Sequence, residues 1–125
     1  MDRVKKIYHR GKEIIVIDYT ESKPTKMIEI FLKAKHLIEI ENKHVLVLSI
    51  FSKNYVTPIY MRHVEKGLKE VENLIDQNVV IGLTKIQKMI LIGVNQWYKK
   101  QIHSFESFDE GLEFILLSDK IDQSK

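Results

Sequence analysis

The side chains with the most chemical potential in this 125-residue chain fall in three places. Asp18 closes the apolar stretch "IIVID". Open α/β sheets hold their ligands at the carboxyl ends of strands, and a carboxylate there could work as an acid or a base. No titrating partner accompanies it in sequence, so the preferred reading of Asp18 is an exposed loop-edge residue joining strand to helix. Gly82 and Thr84 lie in "VVIGLTK", a strand-to-helix turn of the kind that can rest a phosphate on a helix N-terminus. The single glycine falls inside the strand pattern and matches neither G-x-G-x-x-G nor a Walker A loop. Ser52 and Thr57, in "FSKNYVTP", are hydroxyls near another helix start. The five histidines, at 9, 36, 44, 63 and 103, never fall at H-x-H, H-x-x-H or H-x-x-x-H spacing, and zinc needs three or four convergent ligands. With no cysteine there is no thiolate nucleophile, disulfide or cysteine-ligated metal. There is no G-x-S-x-G elbow either. No catalytic, cofactor-binding or metal-ligating set emerges, and the expectation is a protein that is not an enzyme and carries no cofactor.

Composition supports one domain over residues 1–125, with a tail fraying from about residue 118. Twenty basic and 17 acidic residues give a net charge of +3. The signs interleave almost everywhere along the chain, which predicts a mixed, solvated surface and no nucleic-acid face. The longest apolar run, Met89–Val94, has six residues, whereas a membrane-spanning helix needs about 20. "MDRVKKIYHRGK" lacks the apolar core of a signal peptide. The expected address is the cytoplasm, with no membrane span.

The positioning elements follow from periodicity. Val4–Tyr8 and Glu13–Tyr19 read as strands joined by a tight turn at Gly11. A first helix should begin at Ser22 as N-cap, with Pro24 in its first turn and Met27, Phe31, Ala34 and Ile38 inward. "HVLVLSIF" is a strand apolar enough to be covered on both faces. Thr57-Pro58 opens a second helix running to about Gln77, with Tyr60, Val64, Leu68, Val71 and Ile75 inward. "NVVIGL" is the next strand. Thr84 caps a third helix with Ile86, Ile90, Val94 and Trp97 on one face. "QIHSF" is the last strand, and Ser107 with Glu110 forms a capping box for the final helix. The order β-β-α-β-α-β-α-β-α predicts an α/β domain: one mostly parallel, mixed sheet of about five strands with about four helices packed around it.

The third helix, "KIQKMILIGVNQWYK", is too apolar for a half-buried surface. The preferred reading is burial on two sides, against the sheet and a neighbouring element; the functional one makes Met89, Ile92, Trp97 and Tyr98 candidate interface or ligand contacts. With Tyr55 and Tyr60 they suggest a homodimer. If Met89 and Trp97 instead border a pocket for a small apolar ligand, the fold should contain an apolar cavity of about 300 Å³ or more.

The order of elements, with "HVLVLSIF" and "VVIGLTKIQKMILIGVNQWYKKQIHSFESFDEGLEFIL", resembles the STAS or anti-sigma-factor-antagonist (SpoIIAA-like) superfamily, within an uncharacterised small bacterial branch. The resemblance spans about residues 4–117. It implies a non-enzymatic regulatory module that binds a protein partner. In better-known members a kinase phosphorylates a Ser or Thr in an Asp-Ser-Ser-Gly-like motif at the start of the helix after a central strand. "SIFSKNYVTPIY" occupies that place without the motif, leaving Ser52 and Thr57 as the hydroxyls of a possible phospho-acceptor or partner loop. The same neighbourhood includes CRAL-TRIO-like lipid carriers, which keeps an apolar-ligand or lipid-binding role as the alternative.

Overall fold

The structure is a computed structural model. It describes the backbone of residues 2–123 and the side chains of residues 2–117. A five-stranded sheet runs β1 (Val4–His9), β2 (Lys12–Asp18), β3 (Val45–Ile50), β4 (Ile75–Ile81) and β5 (Ile102–Phe105), in that spatial order. β1 pairs antiparallel with β2, and every other pair is parallel. Four helices complete the chain: α1 (Pro24–Glu41), α2 (Pro58–Val71), α3 (Lys85–Trp97) and α4 (Phe108–Gln123). The expected α/β architecture and element order are both present.

The β1–β2 turn places Arg10 at φ 50° and Gly11 at φ 82°. Both central residues are left-handed, as a two-residue hairpin matched to strand twist requires. From β2 onward each crossover advances one strand in the same direction. Right-handed crossovers then put α1, α2 and α3 on one face of the sheet. That layer buries Ile15, Ile17, Val47 and Val80 from the strands. Met27, Phe31 and Ala34 of α1, with Val64 and Leu68 of α2, cover them. The alternate strand positions Ile14, Val16, Leu46, Leu48, Val79 and Ile81 face Leu112 and Ile115 of α4. The unbroken apolar runs of the strands are thus explained by coverage on both faces.

Three local expectations differ from the structure. Lys23, not Ser22, stands at the N-cap of α1 and makes no side-chain cap; the Ser22 hydroxyl donates to Thr20 O at 3.3 Å. The second helix stops at Val71, and a 3₁₀ turn (Glu72–Leu74) hands Ile75 to β4 instead of to the helix stripe. Gly82 lies just beyond β4, not inside it, at φ +79°. α4 is helical through Gln123; the side chains beyond Leu117 and residues 124–125, where the tail is expected to fray, lie outside the described residues. Among the described residues no helix is long and apolar enough to cross a membrane.

Candidate functional site

The carboxyl ends of β2, β3 and β4 converge on one edge of the sheet, and most of the sequence candidates meet there. Asp18 is occupied by its own turn. Its Oδ1 accepts from Thr20 N–H at 2.9 Å and lies 3.9 Å from Arg3, whose guanidinium also donates to Thr20 O at 2.7 Å. A carboxylate bonding the backbone two residues on is turn chemistry. Ser52 uses its carbonyl to accept from Glu21 N–H at 2.8 Å. Thr57 caps α2, its hydroxyl accepting from Tyr60 N–H at 3.1 Å.

The turn after β4 is braced by its own side chains. The Thr84 hydroxyl accepts from Gln87 N–H at 3.2 Å, and Gln87 Oε1 accepts from Thr84 N–H at 2.9 Å. This reciprocal box satisfies two of the backbone donors at the start of α3. Gln87 then reaches across, its Nε2 donating to Asn54 Oδ1 at 2.9 Å, while Asn54 Nδ2 donates to Tyr19 O at 2.8 Å. Sequence reasoning missed Asn54 and Gln87. T-x-x-Q, the capping-box signature at Thr84–Gln87, was the available signal for the second.

Beneath this network an apolar cleft of about 110 Å³ lies between the sheet and the helices, lined by side chains of α1, α2, α3 and the central strands. Tyr60, Val64 and Leu68 of α2 form one wall, and Ile90, Leu91 and Val94 of α3 the other. It is smaller than the 300 Å³ expected of an enclosed ligand pocket. Met89, Ile92, Trp97 and Tyr98 do not line it. The α2–α3 groove is closed at one end by the Gln87–Asn54 bond. At the other, Lys69 Nζ sits 5.3 Å from the ring centroid of Trp97. Tyr19 and Tyr60 are both buried at the cleft, ring centroids 6.0 Å apart edge to face, and their hydroxyls share a hydrogen bond. Burial pushes both phenols well above their ordinary range, Tyr19 against the pull of that bond.

The third helix divides the interface candidates. Tyr98 belongs to the core, as does Tyr60, and Trp97 is half-buried. The inward face of α3 is Gln87, Val94 and the flanking Tyr98, with Ile90 and Leu91 beside them. Ile86, expected inward, is instead 72% exposed, and Met89 (71%) and Ile92 (65%) join it on the outer side. Nothing in the described chain covers this face. At 100° per residue, Ile86 and Gly93 adjoin Ile90 and Trp97, which turn toward α2, so the outer crest is continuous with the rim of the groove.

Among the described residues no three His, Asp or Glu side chains gather as a metal site. His44 and Asp76 meet at 2.7 Å as an exposed pair. His103 lies with its ring centroid 4.3 Å from that of Phe114, and burial pulls its pKa down.

Comparison with known proteins gives a fold and no close relative. No family model matches the chain, and no curated protein is significantly similar in sequence. Among solved structures, an uncharacterised protein of the DUF3478 family with a SpoIIAA-like fold, from Shewanella loihica PV-4, superposes with a TM-score of 0.72. The match covers 90% of this chain and 91% of that one at 9% sequence identity. The chain therefore has the SpoIIAA-like fold that its order of elements suggested.

Proposed function

We propose that this chain is a non-enzymatic interaction module that docks a protein partner on the outer face of α3. One observation carries the reading: Ile86, Met89 and Ile92 are 65–72% exposed on a single helix face. A large aliphatic side chain left in water forgoes about 1.5–3 kcal/mol of burial, and adjacent ones mark a surface covered by something else. Thr57 and Asp18 support the reading by their employment in a cap and a turn. The phosphoswitch of better-known STAS proteins is not part of this proposal, since Thr57 already serves α2 as its cap.

Met89→Glu and Ile92→Glu leave the core untouched, so their stabilities should stay within about 0.5 kcal/mol of the unaltered protein. Each is expected to abolish retention of the partner that the unaltered protein recovers from its native lysate. Recovery of no partner by the unaltered chain, or equal recovery by both variants, would end this reading.

A second reading rests on the cleft. Its 110 Å³, with mostly aliphatic and aromatic walls, approaches the roughly 150 Å³ at which apolar cavities take benzene-sized molecules. If a small apolar ligand is held there, gentle native mass spectrometry should show a bound mass that disappears in Leu68→Trp, which fills the space. An unliganded mass in the freshly isolated protein, with no thermal shift on adding benzene, would remove it.

A further inference from the structure

We propose that the partner seated on α3 is an acidic amphipathic helix, an assignment that rests on the docking role just given to that face. Two independent features of the surface lead to it.

The first is charge. The 29 residues 77–105 contain four lysines and no aspartate or glutamate. The interleaving of signs breaks here, as it also does over residues 3–12, and the segment carries +4 on a chain of net +3. Lys88 and Lys100 are paired by carboxylates from outside the segment, Glu106 at 2.6 Å and Asp76 at 3.5 Å. Lys85 and Lys99, one near each end of α3, are exposed and make no ion pair among the described residues. The crest is therefore an apolar strip with an unneutralised cation near either end. A second copy of this chain fits it poorly. A two-fold interface uses the same patch on both subunits. Antiparallel pairing of α3 sets Lys85 against Lys99, and parallel pairing sets each lysine against itself.

The second is Gly93. A glycine inside a helix lowers its stability relative to alanine. The other helical glycines have internal reasons: a Cβ at Gly67 would stand 2.5 Å from the Phe31 ring, and one at Gly111 3.1 Å from Val79. At Gly93 a Cβ would meet nothing within 4 Å, and the residue is exposed. No contact among the described residues asks for glycine there. Met89, Ile92, Gly93 and Gln96 stand at i, i+3, i+4 and i+7, the four residues that frame the hole for one knob of a facing helix. With glycine as one of the four, that hole is deep. A fluid lipid surface gains nothing from such a notch, whereas one side chain of a packed helix fills it. α3 is 13 residues long, about 20 Å, which matches a partner helix of three to four turns with acidic residues flanking its apolar stripe.

The test uses the full chain and two synthetic 18-residue helical peptides that share a leucine stripe at i, i+4 and i+7. One carries glutamates beside the stripe and the other lysines. Fluorescence anisotropy should show the acidic peptide binding at least tenfold more tightly than the basic one, with affinity falling as salt rises from 50 to 300 mM. Lys85→Glu combined with Lys99→Glu should reverse that preference. Gly93→Met, which fills the notch on an exposed face, should weaken binding at least tenfold while circular dichroism and melting temperature show a folded protein. Equal binding of both peptides, no binding of either, or indifference to Gly93→Met overturns the assignment. So does saturable binding to vesicles of phosphatidylcholine with 30% phosphatidylserine in preference to the acidic peptide, or concentration-dependent dimerisation lost in Met89→Glu. A native partner that is lost in Met89→Glu but retained in the Lys85→Glu, Lys99→Glu protein would preserve the docking role and remove the acidic helix alone.

Discussion

Gly82→Ala is expected to destabilise the protein by about 3 kcal/mol. Two penalties combine at this position. Its φ of +79° is a conformation that costs an L-residue roughly 1–2 kcal/mol. The added Cβ would also stand 2.4 Å from the carbonyl oxygen of Phe51, a main-chain atom that cannot swing aside. Phe51 is held where it is because its N–H donates to Ile81 O at 2.8 Å. Relief therefore requires the β3 and β4 ends to separate, and with them the Asn54–Gln87 tether. For a domain of this size 3 kcal/mol corresponds to a melting temperature lowered by about 10 °C. Gly11→Ala is the control, because φ there is +82° but a Cβ meets nothing within 4 Å. It should cost about 1 kcal/mol, the conformational share alone. Equal losses in the two variants would show that the close approach of Phe51 contributes nothing.

The same glycine illustrates what periodicity reveals and what it hides. Covered strands, the hairpin turn and three helix starts at Pro24, Thr57 and Thr84 were readable because each has a local cause: an apolar run, a left-handed pair, a cap or a proline. The end of the second helix was not. Leu68, Val71 and Ile75 keep helical spacing, and only the pairing of Ile75 with Val45 draws it into the sheet. The orientation of α3 was also hidden. A helix apolar around most of its circumference supplies no preferred face, so the stripe through Ile86 looked as good as the true inward one. Gln87 decides it, since the capping box and the bond to Asn54 turn that side chain inward and send Ile86 to the outside. Asn54 and Gln87 are 33 residues apart, and Tyr19 meets Tyr60 across 41 positions of the sequence. Such pairs have no local pattern to betray them. The acid-free segment 77–105 was in plain view, yet it gained meaning only once α3 was known to be exposed along its apolar side.

Alkaline pH should unfold this protein through two buried phenols. Tyr19 and Tyr60 lie in the apolar layer with their hydroxyls bonded to each other, and burial raises both pKa values far above the ordinary 10. The sign follows from which form the fold favours. The neutral phenol is favoured in the folded state, so the native protein holds its protons at pH values where the unfolded chain has released them. This contribution to stability is complete below about pH 10 and declines as pH rises toward the folded values, because the unfolded state then binds fewer protons. The slope is about 1.4 kcal/mol per pH unit for each phenol. Two phenols carried from pH 10 to pH 12 therefore remove about 5 kcal/mol, comparable with the whole stability of many small domains. Urea denaturation at pH 9, 10, 11 and 12 should show a flat region followed by a fall approaching 2.7 kcal/mol per unit. Tyr19→Phe with Tyr60→Phe removes both hydroxyls together and so strands neither as an unpaired buried group. That double variant should keep most of its stability at pH 9 and lose far less than the parent between pH 10 and 12. An equal fall in parent and double variant would mean that other groups govern alkaline unfolding and that this pair, though buried, is not its trigger.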